Sequence, residues 1–238
     1  MSRLAITQVR RLIRERANPA QAKISAGFFK TKKGEYGHGD VFLGLNVPQS
    51  RVIAKQGIGL SLKELKSLLK SKYHEERMIA LLILVHQFQQ GDQAVRQHVV
   101  DFYLASLDRV NNWDLVDLSA DKILGAHLVT RGSSKLLDSL AKSRHLWTRR
   151  VAMIATFAFI KQGKIAETFH VADLLLKDEH DLMHKAVGWM LREAGKRDQK
   201  ALERYLKTRY KKMPRTMLRY AIERFPKPLY RKYLEGRI

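Results

Sequence analysis

Apolar residues recur at helical spacing along almost the whole chain, with charged and polar residues filling the positions between them. The longest apolar stretches, such as Met78 to Val85, have the length of a core helix. None approaches the run of about 18 residues that a membrane-spanning helix needs. The five prolines, at 19, 48, 214, 226 and 228, all fall near the ends of predicted elements, and Asn18-Pro19 reads as a helix start. One segment breaks the pattern. Residues 31–40, Thr-Lys-Lys-Gly-Glu-Tyr-Gly-His-Gly-Asp, are followed by Val-Phe-Leu-Gly-Leu-Asn-Val-Pro. Glycines 34, 37, 39 and 44 predict a loop or a short β-hairpin near 31–45 between helices. No strand precedes these glycines and their spacing is wrong for a dinucleotide fingerprint.

From about residue 60 the helical pattern repeats. Arg77-Met-Ile-Ala80, Arg150-Val-Ala152, Lys185-Ala-Val-Gly188 and Arg219-Tyr-Ala221 each place a basic residue shortly before a small one inside an apolar helix. The intervals are 73, 35 and 34 residues, the first being about twice the others, with the skipped beat at 113–117. A helical unit of that length predicts stacked helix pairs, an all-α α-solenoid. The chain is expected to form a single domain over 1–238. If the repeated basic residue recurs on a concave side, it makes a ladder of positive charge that suits a duplex with two rails of phosphate.

Charge strengthens this reading. The chain has 238 residues with 45 Lys and Arg against 23 Asp and Glu, a net charge of +22. Residues 1–33 carry net +8 and residues 185–238 net +12, so the excess lies in the two ends. A field this concentrated calls for a polyanion. Nucleic acid fits better than a membrane surface, for which residues 3–14 offer only a short basic amphipathic stretch. The composition, 45% apolar, supports a sizeable core. The chain contains no cysteine, which excludes disulfides, zinc–cysteine sites and a cysteine nucleophile. The opening residues lack a secretory apolar region, and a cytoplasmic protein is expected. The histidines show no convincing ligand spacing, and His74-Glu75-Glu76 is not a zincin motif; no metal or cofactor is expected.

The candidate chemistry centres on Val110-Asn-Asn-Trp113-Asp114-Leu-Val-Asp117. On a helix Trp113 and Asp117 share a face, while Asp114 points about 100° away and is free for a role such as capping. An indole beside a carboxylate offers a π-face to a cation and an anion to a developing positive charge. Taken alone, the pair also reads as a half-buried tryptophan with a capping aspartate. Trp189, one residue after Gly188, reads by default as core packing, as does Trp147. Of the adjacent Arg149 and Arg150, only one can face a given groove, and the repeat register favours Arg150.

The sequence resembles the AlkD-like DNA alkylation repair proteins, HEAT-like repeat DNA glycosylases, over nearly its whole length. The resemblance rests on Asn18-Pro19, on Phe42-Leu-Gly-Leu-Asn-Val-Pro48, on Asn112-Trp113-Asp114-Leu-Val-Asp117, on Trp147-Thr-Arg-Arg150, on Lys185-Ala-Val-Gly-Trp189-Met-Leu-Arg-Glu193 and on Met213-Pro-Arg-Thr-Met-Leu-Arg-Tyr-Ala221. It implies that Trp113 and Trp189 are active-site tryptophans, that Asp117 is the catalytic aspartate, and that Arg150 holds DNA near the lesion. A family tyrosine aligns with Phe28, which keeps the ring and lacks the hydroxyl. Lys185, Arg192, Arg215 and Arg219 are further candidates for DNA contact. The implied activity is monofunctional, cofactor-free hydrolysis that excises purines alkylated at N3 or N7 from duplex DNA. A monomer is expected to hold the duplex mainly by its phosphates.

Two other readings share this scaffold. The 31–40 stretch looks longer than the corresponding family loop, and relatives with a hairpin inserted there bind branched DNA without excising bases. A non-catalytic binder of branched or damaged DNA is therefore the alternative. A solenoid binding an acidic protein is the third reading; it predicts weak, salt-labile DNA affinity.

Overall fold

The computed structural model describes residues 4–131 and 135–238, which divide into two compact units, Met1–Ser119 and Ala120–Ile238. The first holds α1 (Ile6–Glu15), α2 (Pro19–Phe28), α3 (Val47–Gln56), α4 (Leu62–Leu69), α5 (His74–Gln90), α6 (Gln93–Leu104) and α7 (Trp113–Ser119). Helix α5 is its centre and packs against α1, α3, α4, α6 and α7. The continuous apolar run from Met78 to Val85 explains why: a helix buried on every side carries no polar stripe. In the second unit a π-helical turn, Asp121–Gly125, precedes α8 (Ala126–Arg131), α9 (Lys135–Ala141), α10 (Leu146–Lys161), α11 (Ala166–Leu174), α12 (Asp181–Arg197), α13 (Gln199–Lys207), α14 (Arg215–Ala221) and α15 (Lys227–Leu234). Helix α10 is the counterpart of α5, enclosed by α8, α9, α11, α12 and the π turn. The expected all-α, helical-repeat class stands.

Glycine sets two close approaches in this second unit. A Cβ at Gly188 would lie 2.5 Å from the carbonyl oxygen of Met217, so only glycine lets α12 sit this near α14. A Cβ at Gly125 would lie 2.3 Å from that of Ala155 on α10.

The repeat is visible in backbone geometry. The residues preceding α5, α10 and α12 are Tyr73 (φ −81°, ψ 123°), His145 (φ −79°, ψ 121°) and His180 (φ −89°, ψ 125°). With Pro214 before α14, these starts lie 72, 35 and 34 residues apart. The fourth residue of each of the first three helices reaches back to carbonyls of the preceding turn: Arg77 to Ser71 and Lys72, Arg149 to Ser143 and Arg144, His184 to Asp178. The structure thereby shifts the repeat register at one point. Arg77 corresponds to Arg149, while Arg150, Lys185 and Arg219 form a series of their own one residue later. It also corrects the expected ladder of charge. Arg77 and Arg150 are only 2% and 5% exposed, because each guanidinium is used to join packed elements inside its unit.

The segment before α3 decides between the loop and the hairpin that the sequence left open. No hairpin forms near 31–45; residues 32–39 make turns and bends, and the strap after them crosses the start of α5. One parallel bridge pairs Val41 with Tyr73. The amides of Leu43, Gly44 and Leu45 all donate to the buried Glu75 carboxylate, at 2.7–3.3 Å. Those donors are satisfied without a partner strand, so the strap has no need to fold on itself. The Leu43 carbonyl in turn accepts from the amide of Asn18, the residue that caps α2 ahead of Pro19 as the sequence predicts.

Gly44 holds the strap in the left-handed region (φ 88°), and a Cβ there would come within 2.1 Å of the Asn18 carbonyl oxygen. Gly44→Ala is expected to cost about 2 kcal/mol or more, read as a lowered urea midpoint with an unchanged m-value.

Candidate functional site

The first unit builds an aromatic column beside a buried charge network. Helix α2 closes on Phe28 and Phe29, then turns at Lys30 in the left-handed region (φ 52°). Phe29 stacks on Trp113 with centroids 5.0 Å apart and planes inclined by 19°, and on Phe42 at the same distance and angle. Phe28 meets Trp113 edge-on at 5.8 Å and Phe29 edge-on at 5.2 Å, yet remains 65% exposed. The His74 ring lies under the column, stacked on Phe42 at 4.6 Å and tilted against Phe29 at 5.2 Å.

The same His74 links two carboxylates. Its Nε2 lies 2.8 Å from Asp114 Oδ2 and its Nδ1 3.3 Å from Asp40 Oδ2. Asp40 also accepts from Arg77 at 2.5 Å and from Asn112 Nδ2 at 3.1 Å. Asn112 Oδ1 in turn accepts from the Trp113 amide at 2.8 Å, and the second Asp114 oxygen takes the Leu115 amide. Asp114 is thus more than the cap expected from sequence; it is an ion-pair partner. Burial opposes the charge on His74, but the Asp114 carboxylate, by charge and hydrogen bond, and the Asp40 bond push its pKa up to about 9. Burial likewise works against Asp40, and the His74 bond, the Arg77 charge and the Asn112 bond together hold it below the usual carboxylate range.

This network starts the two-turn helix α7. Trp113 is its first residue and Asp117 lies one turn later; both are partly buried. The far end is tied to α6, where Tyr103 Oη is 2.9 Å from Ser119 Oγ, which donates to the Leu115 carbonyl. Sequence reasoning placed Trp113 and Asp117 on one helix and missed Phe29, Asp40, His74 and Asn112. The available signal was the His-Glu-Glu-Arg run opening the helix that carries the long apolar run from Met78 to Val85. Charged residues on a helix buried all round must have partners.

In the second unit Trp189 is half-buried on α12, with Phe157 of α10 at 6.1 Å and an inclination of 49°. Lys161 Nζ lies 4.4 Å over the Phe157 ring and 2.6 Å from the buried Asp121, whose other oxygen holds Lys122 at 2.8 Å. Trp147 is buried core, as expected. Arg150 donates to the Leu182 carbonyl at 2.7 Å, bracing the first turn of α12, and Arg149 pairs with Asp178 at 2.6 Å. The other cations differ in their freedom. Lys185 pairs with Asp181 on its own helix at 2.7 Å. Arg192 is held between Glu193 and Glu223. Arg215 is exposed and donates to the Leu234 carbonyl at 2.6 Å. Arg219 is exposed beside a groove of about 350 Å³ shared with Thr216, Tyr220, Glu223 and Tyr230. Among the described residues no helix is long and apolar enough to cross a membrane.

A helical-repeat chain with a strong basic excess and a half-buried tryptophan in each unit defines a class. The family comparison makes it specific: the chain belongs to the DNA alkylation repair enzyme family, whose model matches residues 9–225. Membership supports a role in DNA alkylation repair. The fold is similar to that of a solved structure described as a predicted DNA alkylation repair enzyme from Enterococcus faecalis, with a TM-score of 0.68, 17% identity, and coverage of 89% of this chain and 97% of that one. No curated protein matches.

The aromatic column separates the roles of two neighbouring phenylalanines. Phe29→Ala is expected to lose about 2–3 kcal/mol and to shift tryptophan emission, because it removes the ring stacked on Trp113. Phe28→Ala should change stability by less than about 0.5 kcal/mol. Chemical denaturation followed by fluorescence distinguishes the two.

Proposed function

We propose that this protein is a DNA glycosylase that releases cationic N3- or N7-alkylated purines from duplex DNA by hydrolysis of the N-glycosidic bond. The observation that carries the reading is the pairing, in a member of this family, of Trp113 and Asp117 one turn apart and partly accessible on α7. An alkylated purine of this kind already bears a positive charge, so it leaves without protonation by an acid. The demand on the protein is to stabilise the oxocarbenium-like deoxyribose and to orient a water. Asp117 supplies the anion and the acceptor for the water's proton. Trp113 offers a π-face to the sugar and the cationic base, worth about 2 kcal/mol when desolvated, and the family resemblance assigns Trp189 the same kind of contact. Water is the nucleophile, so no amine forms a bond to the sugar and the reaction stops at the abasic site.

DNA binding in this reading falls mainly on phosphates. Arg215 and Arg219 are the most exposed of the candidate cations, with Lys185 partly so. Arg192 must exchange a carboxylate partner to reach a phosphate, and Arg150 acts through the α12 turn that it braces. Phe28 contributes an exposed ring beside Trp113. The competing reading, a non-catalytic binder of branched or damaged DNA, would present the 31–45 segment as turns and a strap, not as a hairpin.

Wild type is expected to release N7-methylguanine or N3-methyladenine from a duplex, and Asp117→Asn to slow release by a factor of about 100 or more. Absence of release from both lesions with duplex binding intact would overturn the reading in favour of a non-catalytic binder. Neutralising about six phosphates should also make binding fall roughly a thousandfold between 50 and 200 mM salt; a flat response in a binding titration would exclude a phosphate-dominated interface.

A further inference from the structure

We infer that His74 is a positioning residue for Trp113 and Asp117, holding the first turn of α7 through a two-sided contact with Asp114 and Asp40. The inference rests on the proposal that Trp113 and Asp117 act on DNA, and adds a residue that touches neither substrate nor lesion.

Geometry carries the argument. Both partners of the imidazole are carboxylates that also take other donors: Asp40 from Arg77 and Asn112, Asp114 from the Leu115 amide. An ionised carboxylate only accepts, so both ring nitrogens must donate, and only the imidazolium has two N–H groups. A neutral ring would leave one nitrogen lone pair facing a carboxylate. With the proton in place, the buried set is His74 and Arg77 against Asp40 and Asp114, two charges of each sign. Without it, the set carries a net negative charge in the interior.

The consequences converge on α7. Asp114 lies next to Trp113, and Asn112, on the other side, is bonded both to Asp40 and to the Trp113 amide. The His74 ring also lies against Phe29, which stacks on the Trp113 indole. Loss of the proton therefore loosens the backbone of the first turn and the ring behind the indole together. Asp117, one turn further on, moves with them.

The charged groups acting on His74 are Asp114 of α7, Asp40 of the strap and Arg77 of its own helix. Elsewhere on the helix, Glu75 is occupied by the strap amides and Glu76 by Arg10 of α1. Arg109, after α6, is held on the carbonyls of Leu69 and Lys70. Helices α3 and α4 present their buried Ile53, Leu65 and Leu68 inward. The folded-state pKa of His74 is raised above the ordinary 6.5 to about 9. Its contribution is therefore complete below pH 6.5 and is lost as pH rises through about 9. Asp40 is shifted the opposite way, so its contribution is lost only in acid.

The test uses full-length protein labelled with 5-fluorotryptophan, whose three resonances are assigned by single tryptophan replacements. The Trp113 fluorine signal is expected to titrate with a midpoint near 9 in the wild type. Asp114→Asn keeps an acceptor for His74 Nε2 but removes the charge, so the midpoint should fall by about one unit or more with the signal unchanged at low pH. His74→Gln should abolish the titration, leaving the signal near the alkaline wild-type position. If that variant fails to fold, the Asp114→Asn midpoint decides. Single-turnover base release, corrected for spontaneous loss, should decline over the same alkaline range and shift with the Asp114→Asn midpoint. A Trp113 signal that is flat between pH 7 and 10, or a midpoint unmoved by Asp114→Asn, overturns the inference. So does release whose alkaline limb ignores the Asp114→Asn shift. If the signal titrates as expected but no variant or wild type releases a base, the glycosylase reading fails while the positioning of α7 by His74 stands.

Discussion

Four consecutive charged or polar side chains, His74, Glu75, Glu76 and Arg77, are 1–3% exposed at the first turn of α5, and much of the first unit depends on how they are compensated. A buried charge without a partner costs several kcal/mol, so each of the four must recruit one from elsewhere. Glu75 takes three amides of the strap, Glu76 takes Arg10 of α1, Arg77 takes Asp40, and His74 takes Asp40 and Asp114. The desolvation constraint thereby becomes a positional one. The strap, α1 and α7 are each fixed relative to one helical turn, and each link is directional where an apolar contact would slide.

The second unit uses related chemistry with different partners. Arg149 occupies the position of Arg77 and bonds the same turn carbonyls, but its carboxylate is Asp178, further along the chain. Asp121, in the π turn, balances Lys122 and Lys161 and draws a cation over Phe157 beside Trp189. A net charge of +22 does not therefore mean 22 charges available to a polyanion. Several of the most regularly spaced cations are consumed in packing. The exposed excess lies in both terminal stretches, with Arg11, Arg14, Lys23 and Lys30 exposed in the first and Arg215 and Arg219 on a short helix in the second.

Features governed by local chemistry were legible in the sequence. The asparagine cap ahead of Pro19, the helical periodicity, the 35- and 34-residue spacings and the glycine that admits α14 each depend on residues close in the chain or on one steric requirement. The charge network was not legible in that way. Asp40 lies 34 residues from His74 and 72 from Asn112, and no pattern in a single sequence marks such pairs. The register error at Arg77 has the same origin. Arg149 and Arg150 are adjacent basic residues, and only the carbonyls within reach of each guanidinium show which one repeats the role of Arg77. Of the loop and the hairpin left open near 31–45, the loop formed, because glycine content signals a change of direction but not the partner. Glu75 satisfied the amides that a second strand would have paired.

Helix α7 spans seven residues, and its own hydrogen bonds fix the local turn but not where that turn sits against α5 and α6. The relative placement of Trp113 and Asp117 therefore depends on what grips the two ends. The first turn is gripped by His74 and Asn112, and the last by the bond between Tyr103 and Ser119. Chemistry that stabilises a transient sugar cation benefits only from groups already in place when the charge develops, to within about 0.5 Å. Intrahelical hydrogen bonds do not supply that placement. Here it is imported from α5 and α6, which are held by the core, so the proposed catalytic geometry is inseparable from buried charges that are remote from it in sequence.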